Sequence, residues 1–226
     1  MSTQTVRIGI PTLHCYDRLA KLIQTLDEDR SQDIQLSFVV IDNGRKLHQS
    51  SWIKQIELAN SDVTIVVPPR NLGVSASWNL LIRMLGHCII SNDDVIFSRY
   101  DIGMLLDCAN ANPESIFVGE QVGGWSLFWV NQPNKWFEMG AFDENFYPAY
   151  YEDNDAIRRI ELAGLARPQV CLRDWTHNNS STLYDGSPEY QSAHWQSFHR
   201  NGMYYCQKWG GMPNEEKFTV PLGKEK

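Results

Sequence analysis

From Val6 to Ala109 the chain alternates short apolar runs with amphipathic stretches, and this alternation narrows the folds open to it more than any other feature. Val6-Arg7-Ile8-Gly9-Ile10 reads as a strand, stopped by Pro11 and Thr12. Asp17 opens a helix whose apolar Leu19, Leu22, Ile23 and Leu26 share one face. Leu36 to Ile41 is almost wholly apolar, as a strand covered on both faces should be, and ends at Asp42-Asn43-Gly44. A helix is expected from Ser50 to Asn60 and a third strand from Val63 to Val67. After the loop Arg70-Asn71-Leu72-Gly73, Ser75 is the expected N-cap of a helix striped by Trp78, Leu81, Ile82 and Leu85. The apolar stretch Ile89–Phe97 and a helix carrying Ile102, Leu105, Leu106 and Ala109 follow. Such alternation builds a parallel sheet with right-handed helical crossovers.

Beyond Pro113 the rhythm changes. Ile116–Val118 and Trp125–Val130 are strand-like with no helix between them, which predicts an antiparallel pair and a mixed, mostly parallel sheet. Trp136 to Tyr151 is aromatic-rich and irregular. Glu152-Asp153-Asn154-Asp155 leads a helix closed by Gly164. A short strand at 170–172 and a polar loop from Asp174 to Gly186 precede Ser187-Pro188, which suit the N-cap and first turn of a last helix. No linker divides the 226 residues, so a single domain is expected over 1–226, with halves at about 1–112 and 113–186 and a C-terminal helix and tail at about 187–226.

A net charge of −7 argues against a general electrostatic grip on nucleic acid. The five cysteines are dispersed, which favours neither a zinc cluster nor a disulfide framework and suits a reducing compartment. No signal peptide is visible and no apolar stretch approaches the roughly 20 residues of a membrane span. The expectation is a soluble, cytoplasmic protein.

Polar clusters stand at strand exits and helix starts: Asp42, Asn71 with Asn79, Asn92-Asp93-Asp94, and Glu152-Asp153 with Asp155. In a parallel sheet the strand exits face one crevice, where ligands bind. Each cluster alone also reads as a turn, since Asn and Asp are common turn residues. Taken together, Ile10-Pro11-Thr12, Val40-Ile41-Asp42-Asn43-Gly44, Arg70-Asn71-Leu72-Gly73 with Asn79, Ser91-Asn92-Asp93-Asp94-Val95, and Gly140-Ala141-Phe142-Asp143-Glu144 followed by Glu152-Asp153-Asn154-Asp155 resemble the family 2 glycosyltransferases of GT-A fold. The ending Tyr204–Gly211 is similar to small stand-alone members. The resemblance runs from about residue 6 to about residue 211.

It implies a single GT-A, Rossmann-like nucleotide-diphospho-sugar transferase domain, inverting and metal-dependent, with UDP as the expected nucleotide. Asp42 would hold uracil or ribose, with Pro11 and Thr12 lining the same base pocket; Asn71, Gly73 and Asn79 would complete the donor site. Asn92-Asp93-Asp94 occupies the place of the DxD-like motif, with Asp94 as the expected ligand of Mn²⁺ or Mg²⁺ and Asp93 on ribose or a metal-bound water. Asn92 departs from the acid usual at the first position. His177 resembles the histidine that completes the metal shell. Asp153 matches the general base, beside Glu152, although acids at a helix start also complement the helix dipole. Arg70 and Lys208 are candidate diphosphate contacts and Trp136 a candidate acceptor platform, with surface and core roles as their alternatives. The acceptor is unknown. A nucleotidyltransferase would place a glycine-rich basic loop near the N-terminus, which Ile10–Cys15 is not. A catalytically silent sugar-binding domain would have lost the base or the metal acids, and both are present.

Overall fold

The computed structural model describes residues 4–29, 34–59, 62–177 and 181–223. Strands β1 (Gln4–Thr12), β2 (Ile34–Asp42), β3 (Asp62–Val66) and β4 (Cys88–Ser91) run parallel in the order β3-β2-β1-β4. Helices α1 (Tyr16–Glu28), α2 (Ile53–Glu57) and α3 (Gly73–Leu85) make the crossovers. The chain first steps outward from β1 to β3, then α3 returns it to the far side of β1. That reversal opens a crevice above the carboxyl ends of β1 and β4, where an α/β sheet takes its ligand.

Beyond β4, strand β5 (Val95–Ile96) and helix α4 (Arg99–Ala111) lead to β6 (Phe117–Glu120) and β7 (Leu127–Val130). Strand β7 lies antiparallel between β4 and β6, as the missing helix between these apolar runs predicts. Short helix α5 (Pro133–Glu138), helix α6 (Glu152–Leu162), edge strand β8 (Gln169–Val170) and β9 (Thr176–His177) follow, then α7 (Ser181–Tyr184) and the 22-residue α8 (Pro188–Trp209). The result is a seven-stranded, mostly parallel mixed sheet and a separate β5–β9 pair.

Side chains alternate across the strands, so the sheet carries two cores. Ile8, Ile10, Phe38 and Val40 meet Leu19, Leu22 and Ile23 of α1 and Ile102 and Leu105 of α4. Ile41 and Ile90 meet Trp78, Leu81 and Ile82 of α3 and the aromatic cluster of Phe117, Trp125, Phe128, Trp136 and Phe142 on the other face. A third cluster of Phe146, Tyr151, Tyr205 and Trp209 seats α8 on the segment before α6.

Three local expectations are corrected. Helix α3 begins at Gly73, three residues earlier than a Ser75 cap would start it, because Gly73 turns the chain at φ +74° and Val74 N–H donates to Pro148 C=O at 2.7 Å. Only Ile53–Glu57 of the stretch from Ser50 is α-helical, and Asn60 lies outside the described residues. The polar stretch from Asp174 to Gly186 contains β9 and α7 rather than loop alone.

Candidate active site

The crevice holds a cavity of about 430 Å³ walled by the exits of β1, β2, β4 and β6, the start of α6 and the first turns of α8. Pro11, Thr12, Asn71, Gly73, Asn92, Asp93, Asp94, Glu152, Asp153 and His177 all line it, so residues scattered over 167 positions of sequence meet at one place.

At its floor, Thr12 Oγ1 donates to Asp93 Oδ2 at 2.6 Å, joining the ends of β1 and β4. Burial pushes the Asp93 carboxyl up to about 7 despite that hydrogen bond, with the neighbouring Asp94 charge adding to the rise. The β5–β9 pairing sets Val95 opposite His177, which brings His177 Nε2 to 3.2 Å from Asp94 Oδ1. This short antiparallel pair explains how a histidine more than 80 residues downstream reaches the acidic turn.

Asp94 and His177 suit a divalent cation as two of its ligands. Donors at right angles and about 2.1 Å from a small cation stand roughly 3.0 Å apart, near the observed spacing. No set of three or more His, Cys, Asp or Glu among the described residues forms a complete metal cluster. A cation of this type commonly completes its shell with substrate phosphates and water, which this pair would leave room for.

On the opposite wall, Tyr150 and Tyr151 both adopt positive φ, +80° and +70°, and turn the chain into α6. Left-handed backbone at two consecutive tyrosines is costly and aims the acids that follow. Glu152 is buried, its Oε2 has no hydrogen-bond partner, and burial together with the Asp153 charge holds its pKa well above the carboxylate range. Asp153 is part-buried, and burial raises its pKa against the pull of Arg167. Asp155 points away into the fold, taking Arg159, Lys208 and the Trp209 indole N–H.

Several expected contacts lie elsewhere. Asp42 is wholly buried and outside the cavity lining; Oδ1 accepts from Tyr16 Oη and Arg45 N–H at 2.8 Å and Oδ2 from Leu47 N–H at 2.9 Å. It braces the turn after β2, and Asn43 lines the cavity in its stead. Asn79 is buried, fixing Phe142 C=O and Glu144. Lys208 is buried between Asp143 and Asp155, 2.6 Å from each, so it neutralises internal carboxylates rather than facing the cavity. Trp136 is fully buried, packed on Phe117 and Phe142 at 4.9 Å, with no face for a sugar. Arg70 is exposed and outside the lining.

Other residues enter that the sequence did not single out. Glu120 and Trp125 line the wall beside β4. Leu183, Tyr190 and His194 cover the cavity from the C-terminal helices, with His194 Nε2 2.5 Å from Tyr150 Oη. Glu120 carried a signal, since it ends an apolar strand as Asp42 does. Tyr190 and His194 are four apart on one helical face, but nothing in the sequence says which surface that face covers.

No family model matches the chain, and no curated protein matches it. Solved structures do. A mannosyltransferase from Pyrobaculum calidifontis, in complex with GDP-Man and Mn²⁺, matches with TM-score 0.60 at 14% identity, covering 76% of this chain and 56% of that one. GalNAc-T7 with UDP, GalNAc and Mn²⁺ matches with TM-score 0.61 at 12% identity over 91% of this chain and 50% of that one. Glucosyl-3-phosphoglycerate synthase from Mycobacterium tuberculosis, in complex with Mn²⁺, UDP and glucosyl-3-phosphoglycerate, matches with TM-score 0.54 at 14% identity, covering 81% and 75%. The chain spans about half the length of the first two. Its fold is the GT-A fold of these glycosyltransferases.

Proposed function

We propose that the chain is an inverting, metal-dependent glycosyltransferase that takes a sugar from a nucleotide donor, UDP-linked by our reading, to an acceptor hydroxyl. One observation carries this: the Asp94–His177 pair and the raised carboxyl of Asp153 line the same cavity at the sheet's switch point. A phosphate-anchoring end and a proton-accepting end are what sugar transfer from a diphosphate requires.

In this reading Asp94 and His177 hold the divalent ion, with Mn²⁺ favoured by the mixture of carboxylate and imidazole. When bound, the ion neutralises charge developing on the departing diphosphate. Thr12 fixes Asp93, and Pro11, Asn43, Asn71 and Gly73 line the nucleotide side. Asp153 takes the proton from the acceptor hydroxyl as its oxygen bonds to C1 from the face opposite the nucleotide. The C1–O bond to the diphosphate breaks with its electron pair leaving on UDP, and the anomeric centre inverts. Burial suits Asp153 to this, because a base with a pKa nearer neutrality accepts a proton more completely.

The test compares Asp153→Asn with the unchanged protein. We expect UDP affinity within about twofold and nucleotide release, with water as default acceptor, down by about 10²–10⁴-fold. Release that survives in Asp153→Asn overturns the base assignment.

A further inference from the structure

The cavity has a third region that neither the metal pair nor the base accounts for. Glu120 ends β6 and is 1% exposed, yet lines the cavity beside Trp125 and Ser126. Its Oε1 accepts from Ser126 Oγ at 3.0 Å and the backbone N–H groups of Gly124 and Trp125 act on the same carboxyl, while no direct hydrogen bond closes on Oε2. The Trp125 indole N–H is buried and also unpartnered, and so is that of Trp78, whose ring stacks on Trp125 at 6.3 Å. Leaving one buried polar atom unsatisfied costs about 1–3 kcal/mol. Several of them around one cavity are explained by a ligand that brings matching donors and acceptors.

The position of this wall says which part of a ligand it meets. Ser126 C=O accepts from the Asn92 N–H at 2.9 Å, so the segment Glu120 holds is tied to the Asn92-Asp93-Asp94 turn. On the other side, Arg167 donates to Gly123 C=O at 2.8 Å, lies over the Trp125 ring, and acts electrostatically on both Glu120 and Asp153. The region therefore lies between the turn that would hold the diphosphate and the acid that would face the acceptor. In a glycosyl donor the group between those two points is the transferred sugar.

Resting on the function proposed above, we infer that Glu120, with the indole N–H of Trp125, reads the hydroxyls of the transferred sugar and sets which sugar the protein accepts. A carboxyl with one oxygen tethered and one open is fixed in orientation, and a sugar hydroxyl can both donate and accept. A site built to hydrogen-bond a hydroxyl discriminates strongly against an analogue lacking it, because its own buried group is then left unpaired.

The test is calorimetric binding of UDP and of a panel of UDP-hexoses with their singly deoxygenated analogues, in Mn²⁺, to the full chain and to Glu120→Met. Methionine keeps the volume and removes both oxygens, and thermal melting checks that the variant folds; Glu120→Ala serves if it does not. The variant is expected to bind UDP within about twofold and to lose about tenfold of the extra affinity that the preferred sugar confers. One hydroxyl should couple to Glu120: its removal weakens binding to the unchanged protein but not to the variant. A merely structural role would leave the two losses additive at every hydroxyl, and that result overturns the assignment. Sugar affinity undiminished in Glu120→Met overturns it too. Absence of any UDP binding by the unchanged protein would instead remove the donor reading, and this assignment with it.

Discussion

At the residue scale, carboxyl groups around one cavity are pushed to different tasks by their surroundings. In the role proposed for it, Asp153 would have to be ionised to accept a proton, and burial raises its pKa. Activity should therefore fall as pH drops through a value above the ordinary aspartate pKa of about 3.9. A pH–rate profile measured alongside UDP binding checks this, and in Asp153→Asn the acidic limb should vanish with the activity. Asp94 and His177 make the second residue-scale prediction. Asp94→Asn or His177→Ala should raise the Mn²⁺ concentration for half-maximal nucleotide binding by roughly tenfold or more, on the scale of losses seen when a metal site is disturbed. An unchanged requirement would show that the pair does not hold the ion. The acids themselves were legible in the sequence, because each ends an apolar run or heads a helix. What their side chains do was less so. Asp42 and Asp93 both follow strands, yet Asp42 spends both oxygens on its own turn while Asp93 meets Thr12 inside the cavity. That difference lies in loop geometry, which residue type does not encode.

At the scale of elements, glycine and aromatic packing decide how the walls of the cavity stand. A Cβ on Gly73 would come to 2.7 Å from Pro148 C=O, in a left-handed conformation as well, so Gly73→Ala should distort the start of α3 and the loop before α6 together. Loss of nucleotide binding with only a small change in melting temperature is the expected result. Gly44 has the same kind of constraint, its would-be Cβ overlapping Leu13 C=O at 1.7 Å, which explains a glycine directly after Asp42-Asn43. Trp136 belongs to the core. Trp136→Ala should cost about 3–5 kcal/mol by urea denaturation, whereas Trp136→Phe should keep UDP and UDP-sugar affinities near those of the unchanged protein. The first half of the sheet could be read from its apolar runs because β2 and β4 are largely buried and the helices between the strands carry clear apolar stripes. Strands β8 and β9 have two residues each and carry no periodicity at all, so the element that delivers His177 was invisible until paired.

At the scale of the whole molecule, the C-terminal helix holds the segment that leads into α6 and so shapes one wall of the site. Its Asn201 amide donates to Ala149 C=O at 2.8 Å and Arg200 donates to Tyr147 C=O, holding the segment that carries Tyr150 and Tyr151 into α6. Near its end Lys208 sits between Asp143 and Asp155. Burial pushes the Asp143 carboxyl up, but the Lys208 hydrogen bond and charge outweigh it and leave the net pKa lowered. A depressed aspartate contributes stability above its unfolded pKa of about 3.9 and loses it as pH falls through the folded value. Lys208→Met removes the cation shared by part-buried Asp143 and buried Asp155, which keep Tyr204 and Arg159 as partners, and should cost roughly 1–3 kcal/mol at pH 7. The deficit should shrink below about pH 4 as Asp143 protonates, and urea melts at both pH values check it. The sequence showed Lys208 near a terminal motif, but a buried lysine and a phosphate-binding lysine look alike until their partners are placed.

The most direct measurement is nucleotide release from a panel of UDP- and GDP-sugars, with Mn²⁺ and again after chelation, by the unchanged protein and by Asp153→Asn. Release from at least one donor should depend on Mn²⁺ and fall by about 10²–10⁴-fold in the variant. No release from any donor under any condition, or release indifferent to both the metal and Asp153, would contradict the proposed function.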